Sequence, residues 1–267
     1  MAVVGLDAKM PGKDCGDLNT CNKGTITTGW GSGSNSLEFV VPPIDAITAV
    51  VGDSALISQS LSNKLDDGVA AARGKDLAFV FVNANSGELG AYTVVDGNMA
   101  DRNNLDLWFK GGSLVERVAA VCNNTIVVVH STGPVRMPWS NHANISAIVY
   151  AGAPGEQNGP GLVDDESAYG TEIVYNSLGF PNIDYTEKLL LDYRYMDAHN
   201  IAPRFEFGFG LSYTTFAYSG LMTSFTSSDG KSMLTTQFTV TNNGSVAGTE
   251  IAQLYLSFPE SASEGGF

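Results

Sequence analysis

Two hydrophobic periods divide this chain. From Asp76 to about Tyr150 the order is an apolar run, a polar loop, an amphipathic segment and a further apolar run. Leu77–Val82 (LAFVFV), Thr125–Ser131 (TIVVVHS) and Ala147–Gly152 (AIVYAG) are short and nearly continuous in β-branched and apolar residues, the pattern of parallel strands covered on both faces. Between the first two, Ser113–Cys122 repeats Leu114, Val115, Val118 and Val121 at helical spacing, with Glu116 and Arg117 turned away. That predicts a βαβ unit. AVVG near the start reads as a further strand, and Gly68–Asp76 as the end of a helix leading into LAFVFV. The expected fold class is α/β, an open parallel sheet with helices on its faces. After Thr235 the period drops to two: TTQFTVTNNGSVAGTEIAQLYLSF alternates on both sides of a turn at Asn242–Ser245, with Phe238, Val240, Ile251, Leu254 and Leu256 expected to face a sheet core. Two or three such strands are the opening of a β-sandwich, which needs about seven.

Composition narrows the function classes. The 267 residues carry 28 acids against 14 bases, a net charge of -14, and a polyanion such as nucleic acid would be repelled by the mean field. No apolar stretch approaches the length of about 20 residues needed to span a bilayer, and MAVVGLDAKMPGKDC lacks the basic, apolar and cleavage regions of an export signal. Of three cysteines, Cys15 and Cys21 enclose a short Gly/Asn/Asp loop that a disulfide would staple, and a zinc site would want a further close pair of Cys or His. Cys122 reads as a buried free thiol at a helix end. Asn123, Asn144 and Asn243 open Asn-x-Ser/Thr triplets, acceptors for glycans in a secretory route.

In open α/β sheets ligands sit beyond the carboxyl ends of the strands, in the loops that leave them. The loop after LAFVFV, NANSGELG, places one acid there, Glu88, behind the small residues Ser86 and Gly87. Downstream acids Asp96 and Asp101 read as a turn residue before Gly97 and as a local ion pair or cap beside Arg102. His130, His142 and His199 are scattered without metal or nucleophile spacing and read as structural. GWGSGSNS lacks the order and the lysine of a phosphate loop. Trp30, Trp108 and Trp139 suit either stacking on sugars or packing, with packing the commoner use.

Several of these strings together resemble one family. VFVNANSGELG with VVDGNMADRNNLDLW, TIVVVHSTGPV, IVYAGAPGEQNGPGLVD and YTEKLLLDYRYMDAHNIAPRFEFGFGLSYTTF are similar to the C-terminal half of fungal family 3 glycoside hydrolases, the β-glucosidases. The resemblance implies an α/β sandwich domain with an aromatic-rich linker over residues 1–215 and a fibronectin-III-like domain, cut short, over 216–267. It implies a retaining hydrolase in which Glu88 is the acid/base and Tyr92 lines the leaving-group subsite, while the Asp nucleophile lies in a (β/α) barrel outside these residues. Substrates would be β-glucosides and cello-oligosaccharides, no cofactor or metal is implied, and the parent would be secreted. Between GPGLVD and DESAYG, at Val163–Asp165, the family carries a further strand that this chain lacks. The expectation is a fragment with little or no hydrolysis of its own. A noncatalytic sugar-binding or interaction module is the alternative, and a nucleotide-binding sheet rests on fold analogy alone.

Overall fold

The computed structural model describes residues 1–11, 23–27, 29, 40–87, 94–99, 101–152, 174–175, 181–182, 188–228 and 231–257. In chain order these form β1 (Ala2–Val4), α1 (Pro43–Val51), β2 (Ser58–Ser60), α2 (Leu65–Ala72), β3 (Ala78–Ala84), β4 (Val94–Val95), β5 (Asn98–Met99), α3 (Gly111–Ala119), β6 (Thr125–Ser131) and β7 (Ile145–Tyr150). Then come β8 (Val174–Tyr175), β9 (Pro181–Asn182), α4 (Tyr193–His199), β10 (Phe216–Ser228) and β11 (Lys231–Asn242). The chain divides into two compact units, Met1–Phe207 and Gly208–Phe267.

In the first unit a parallel sheet runs in the order β2-β1-β3-β6-β7. The two longest apolar runs lie side by side, Ala78 opposite Thr125 through Ala84 opposite Ser131. On one face the predicted helical stripe does what its spacing implies: Leu114, Val115 and Val118 of α3 are buried against Val80, Val82, Val127 and Val129, with Ala72 of α2 and Val4 of β1 in the same cluster. The helix begins at Gly111 and ends at Ala119, so Cys122 lies just past it, buried and free as expected. The other face is thinner. Val3, Ala8 and Phe81 are its only fully buried members among the described residues, with Ile44 and Ile47 of α1 packed partly over them. Gly5, just past β1, lies so close to β3 that an added Cβ would meet the Phe81 carbonyl oxygen at 2.0 Å, and its φ of 116° is one that other residues avoid.

Helix α1 is an element that the pattern of apolar runs did not predict. Pro43 stands at its first position, where a proline's missing N–H costs nothing and its fixed φ suits the helix. Asp96 and Gly97 both take positive φ and form the turn of the β4–β5 hairpin, the expected role for Asp96.

In the second unit β10 and β11 pair as a long antiparallel hairpin, with an irregularity between Ser219 and Met222. The Asn242–Ser245 turn forms: the Asn242 side-chain Oδ1 accepts from Gly244 N at 2.9 Å and from the Thr214 hydroxyl at 2.6 Å, and its Nδ2 donates to the Val246 carbonyl at 2.8 Å. Residues beyond it differ from expectation. Through residue 257 they form no strand, and Ile251, Leu254 and Leu256 are exposed instead of facing a core, as are Phe238 and Val240 within β11. A two-stranded sheet offers no opposing layer among the described residues for such side chains to enter.

Candidate functional site

Polar side chains gather where the parallel strands end. β1 leads through Gly5 into a single helical turn whose middle residue, Asp7, is only 1% exposed. Its Oδ1 accepts from the Ile26 backbone N–H at 3.0 Å and from the Asn83 amide at 2.9 Å, and its Oδ2 meets His130 Nδ1. Asn83 and His130 are cross-strand partners at the ends of β3 and β6. One buried carboxylate therefore ties together the end of β1, two neighbouring strands and the 23–27 segment, which Thr25 secures further by donating to the Asp7 carbonyl at 2.7 Å. Burial pushes the Asp7 carboxyl above its ordinary value, against the hydrogen bond and charge of His130 and the hydrogen bonds from Asn83 and Ile26, which favour the ionised form. Gly29 comes close alongside: a Cβ there would lie 2.9 Å from the Ser86 carbonyl oxygen.

A second network anchors the loop that leaves β3. Asn85 Oδ1 accepts from Ser86 N at 2.9 Å, while the Ser86 hydroxyl donates to Asp101 Oδ1 at 2.8 Å and accepts from Arg102 N at 3.2 Å. Asp101 and Arg102 thus serve the loop base. The Arg102 guanidinium donates to the Pro134 carbonyl at 2.7 Å, and burial lowers its pKa against the pull of Tyr150 and Asp101. Tyr150, at the end of β7, donates its hydroxyl to the Gly133 carbonyl, and burial raises its pKa. Phe109 N donates to Asp96 Oδ2 at 2.8 Å, pinning the hairpin to the start of α3.

Glu88, Tyr92, Cys15 and Cys21 lie outside the described residues. What is placed is the base of the acid's loop, through Gly87, at the carboxyl edge of the sheet. Asn123 and Asn243 are exposed; Asn144 is half-buried, its amide donating to the Ala119 carbonyl at 2.8 Å. His142 Nδ1 accepts from Asn144 N, and His199 sits on the Tyr195 ring with its Nδ1 2.8 Å from that residue's carbonyl, so both are structural. Trp108 and Trp139 are buried packing. Among the described residues no group of His, Cys, Asp and Glu is placed to hold a metal ion, and no helix is long and apolar enough to cross a membrane. Sequence reading missed Asp7 and Asn83. The available signal was at Asn83, a polar residue following the apolar run LAFVFV; Asp7 had no local signal.

The cluster fixes backbone positions more than it presents reactive groups. His130 spends its Nδ1 on Asp7, the arrangement that orients an imidazole, yet among the described residues no serine or cysteine is hydrogen-bonded to the ring.

Comparison with known proteins agrees with the fold and the strings. The model of the glycosyl hydrolase family 3 C-terminal domain matches residues 1–213. A probable beta-glucosidase L of Neosartorya fischeri is 41% identical, over 98% of this chain and 40% of that protein. That alignment runs over 295 positions, against 267 residues here, so at least 28 positions of the relative face no residue of this chain. A beta-D-glucoside glucohydrolase structure from Trichoderma reesei superposes with a TM-score of 0.72 at 36% identity, covering 85% of this chain and 34% of that one. A family 3 beta-glucosidase structure from Neurospora crassa gives 0.74 at 38%, covering 85% and 30%. The chain thus spans about 40% of the length of the curated relatives it matches.

Proposed function

The chain belongs to glycosyl hydrolase family 3, and on that premise we propose that it is the acid/base-bearing part of a retaining β-glucosidase that releases terminal β-D-glucosyl residues from cellobiose and related oligosaccharides. The carrying observation is the anchored loop base: hydrogen bonds with Asn85, Asp101 and Arg102 fix Ser86 at the carboxyl edge of the sheet, two residues before the only acid of the loop. Glu88 would protonate the glycosidic oxygen and then, as carboxylate, activate water against the glycosyl intermediate. Tyr92 would line the leaving-group side. Retaining hydrolysis needs a second carboxylate about 5 Å away as nucleophile, and the resemblance assigns it to the barrel domain of the parent. In this reading residues 1–215 are the α/β sandwich domain and 216–267 a fibronectin-III-like domain. Cys15 and Cys21 are bridged, Asn123, Asn144 and Asn243 are glycan acceptors, and the parent is secreted.

The test is nitrophenol release from an aryl β-glucoside by the folded chain beside its Glu88→Gln form. The expected result is little or no turnover in either. Turnover that Glu88→Gln abolishes would mean a second carboxylate among these residues completes the site. The share of the relatives that the chain spans favours one further reading, a noncatalytic glucoside-binding module, which requires saturable cellobiose binding weakened by changes at Glu88 and Tyr92.

A further inference from the structure

Parallel sheets are stable when both faces and both edges are covered. Here β7 forms one lateral edge of the sheet. β7 pairs with β6 on one side and with no strand on the other among the described residues. Ala151 N donates to the Val129 carbonyl at 2.9 Å, so by the alternation of a parallel ladder the N–H and C=O of Ile148 and Tyr150 point outward. The strand, ISAIVY, has none of the usual protections of an edge: no lysine, no other charge and no proline. The thin face of the sheet continues to this edge, where Ile126, Val128 and Ala147 are half-buried and Val149 is 47% exposed. At least 28 positions of the 41% identical relative have no counterpart here, leaving this chain less material with which to cover such a surface.

We propose that a second copy of the chain covers it, β7 pairing antiparallel with β7 of that copy about a two-fold axis through Ile148. The strand is its own complement in that register. Ile148 exchanges both backbone hydrogen bonds with its equivalent, Ser146 stands opposite Tyr150, and Ala147 stands opposite Val149 on the open face, so the apolar strip runs unbroken across the axis. The contact is closed and isologous, adding no further free edge at that side. Charge favours this occupant at short range, because the strip is uncharged in a chain of net charge -14 and meets no like charge across the axis. At long range the two copies repel, and salt relieves that repulsion. A strand of this length spans about 20 Å, so edge and strip together bury less than the roughly 800 Å² per partner of a standard interface, placing the dimer in the weak class with Kd on the order of 10 μM.

Sedimentation equilibrium on the full 267-residue chain tests this, across about 5–100 μM and at low and roughly 0.5 M salt, a range that brackets the expected Kd and its screening. The mass is expected to rise toward twice the monomer's and to rise further with salt. Val149→Lys, or Ala147→Arg should the first not fold, is expected to remain monomeric with an unchanged far-ultraviolet circular dichroism spectrum. Leu221→Lys, in the exposed hairpin of the second unit, is expected to leave the dimer intact. A wild-type chain that is monomeric throughout overturns the proposal, as does a dimer that survives both β7 variants, one lost in Leu221→Lys, or growth to species beyond the dimer.

Discussion

Replacing Asp7 tests whether the strand-end cluster holds the edge of the sheet together. In Asp7→Ala the Ile26 N–H, the Asn83 amide and the His130 ring all lose their shared acceptor in a site that admits no bulk water. Each buried group left unpaired costs about 1–3 kcal/mol, and relief of the carboxylate's own desolvation returns part of the sum. The net loss expected is about 3–5 kcal/mol, the range for removing one partner of a buried pair, out of a total domain stability of about 5–15 kcal/mol. Asp7→Asn keeps Oδ1 for Ile26 and Asn83 and turns the His130 contact into a neutral hydrogen bond, so its loss should be only about 1–2 kcal/mol.

Urea unfolding at neutral pH, followed by tryptophan fluorescence, reads this directly. Trp108 and Trp139 are buried in the first unit, so the signal reports the sheet and not the hairpin. Hydrogen exchange gives the local signature: the Ile26 amide should lose protection in Asp7→Ala more than the β6 amides do. Asp7→Ala/His130→Ala should cost less than the sum of the single changes, because the second removes a group the first has orphaned. A loss below about 1 kcal/mol in Asp7→Ala, or equal losses in Asp7→Ala and Asp7→Asn, would refute the reasoning from unpaired buried donors.

Two further changes probe the same sheet. Burial holds the Tyr150 phenol above its ordinary 10.0, so the fold's preference for the neutral form is complete below that value and is lost as pH climbs through the raised one. Tyr150→Phe should therefore cost about 1 kcal/mol at neutral pH, from the lost bond to Gly133, and the gap to the wild-type chain should narrow in alkaline denaturation; a gap independent of pH would sink this account. Gly5→Ala forces a Cβ to 2.0 Å from the Phe81 carbonyl oxygen at a φ of 116°, and should cost more than about 3 kcal/mol; a thermal midpoint shifted by only a degree or two would mean β1 and β3 separate easily.

The parts of the fold that could be read in advance are those whose stabilising contacts are periodic along the chain. TIVVVHS coincides with β6 residue for residue, and the Leu114–Val118 stripe is buried as its spacing requires. Helix α1 went unread although Ile44, Ile47 and Val51 recur at helical spacing and Pro43 marks its start. The buried cluster was hidden by distance along the chain. Asp7 is separated from Asn83 by 76 residues and from His130 by 123, and nothing local in AVVGLDA distinguishes a buried acid from a solvated one. Only the order of strands, with β1 against β3 and β3 against β6, brings the three together. The alternation after Thr235 misled in its second half because period two describes a strand's faces, and whether a strand forms there depends on a partner to pair with.

A parallel sheet has two kinds of boundary, and this one uses them differently. Along the strands every chain direction agrees, so all the carboxyl ends meet at one edge, and the residues there are polar: Asp7, Asn83, Asn85, Ser86, His130 and Ser131. Those side chains bond largely to one another and to the backbone, the buried Asn83 Oδ1 being left without a partner among the described residues, and the loop they anchor leads toward Glu88. Across the strands the boundary is β7, whose outward backbone groups and apolar strip have no such internal partners among the described residues. The two boundaries lie at right angles, one along the strand axis and one across it. A second copy paired along β7 would therefore extend the sheet sideways and leave the strand ends of both copies open. Association through β7 and the glucoside chemistry proposed for the loops of the carboxyl edge would not compete for the same surface.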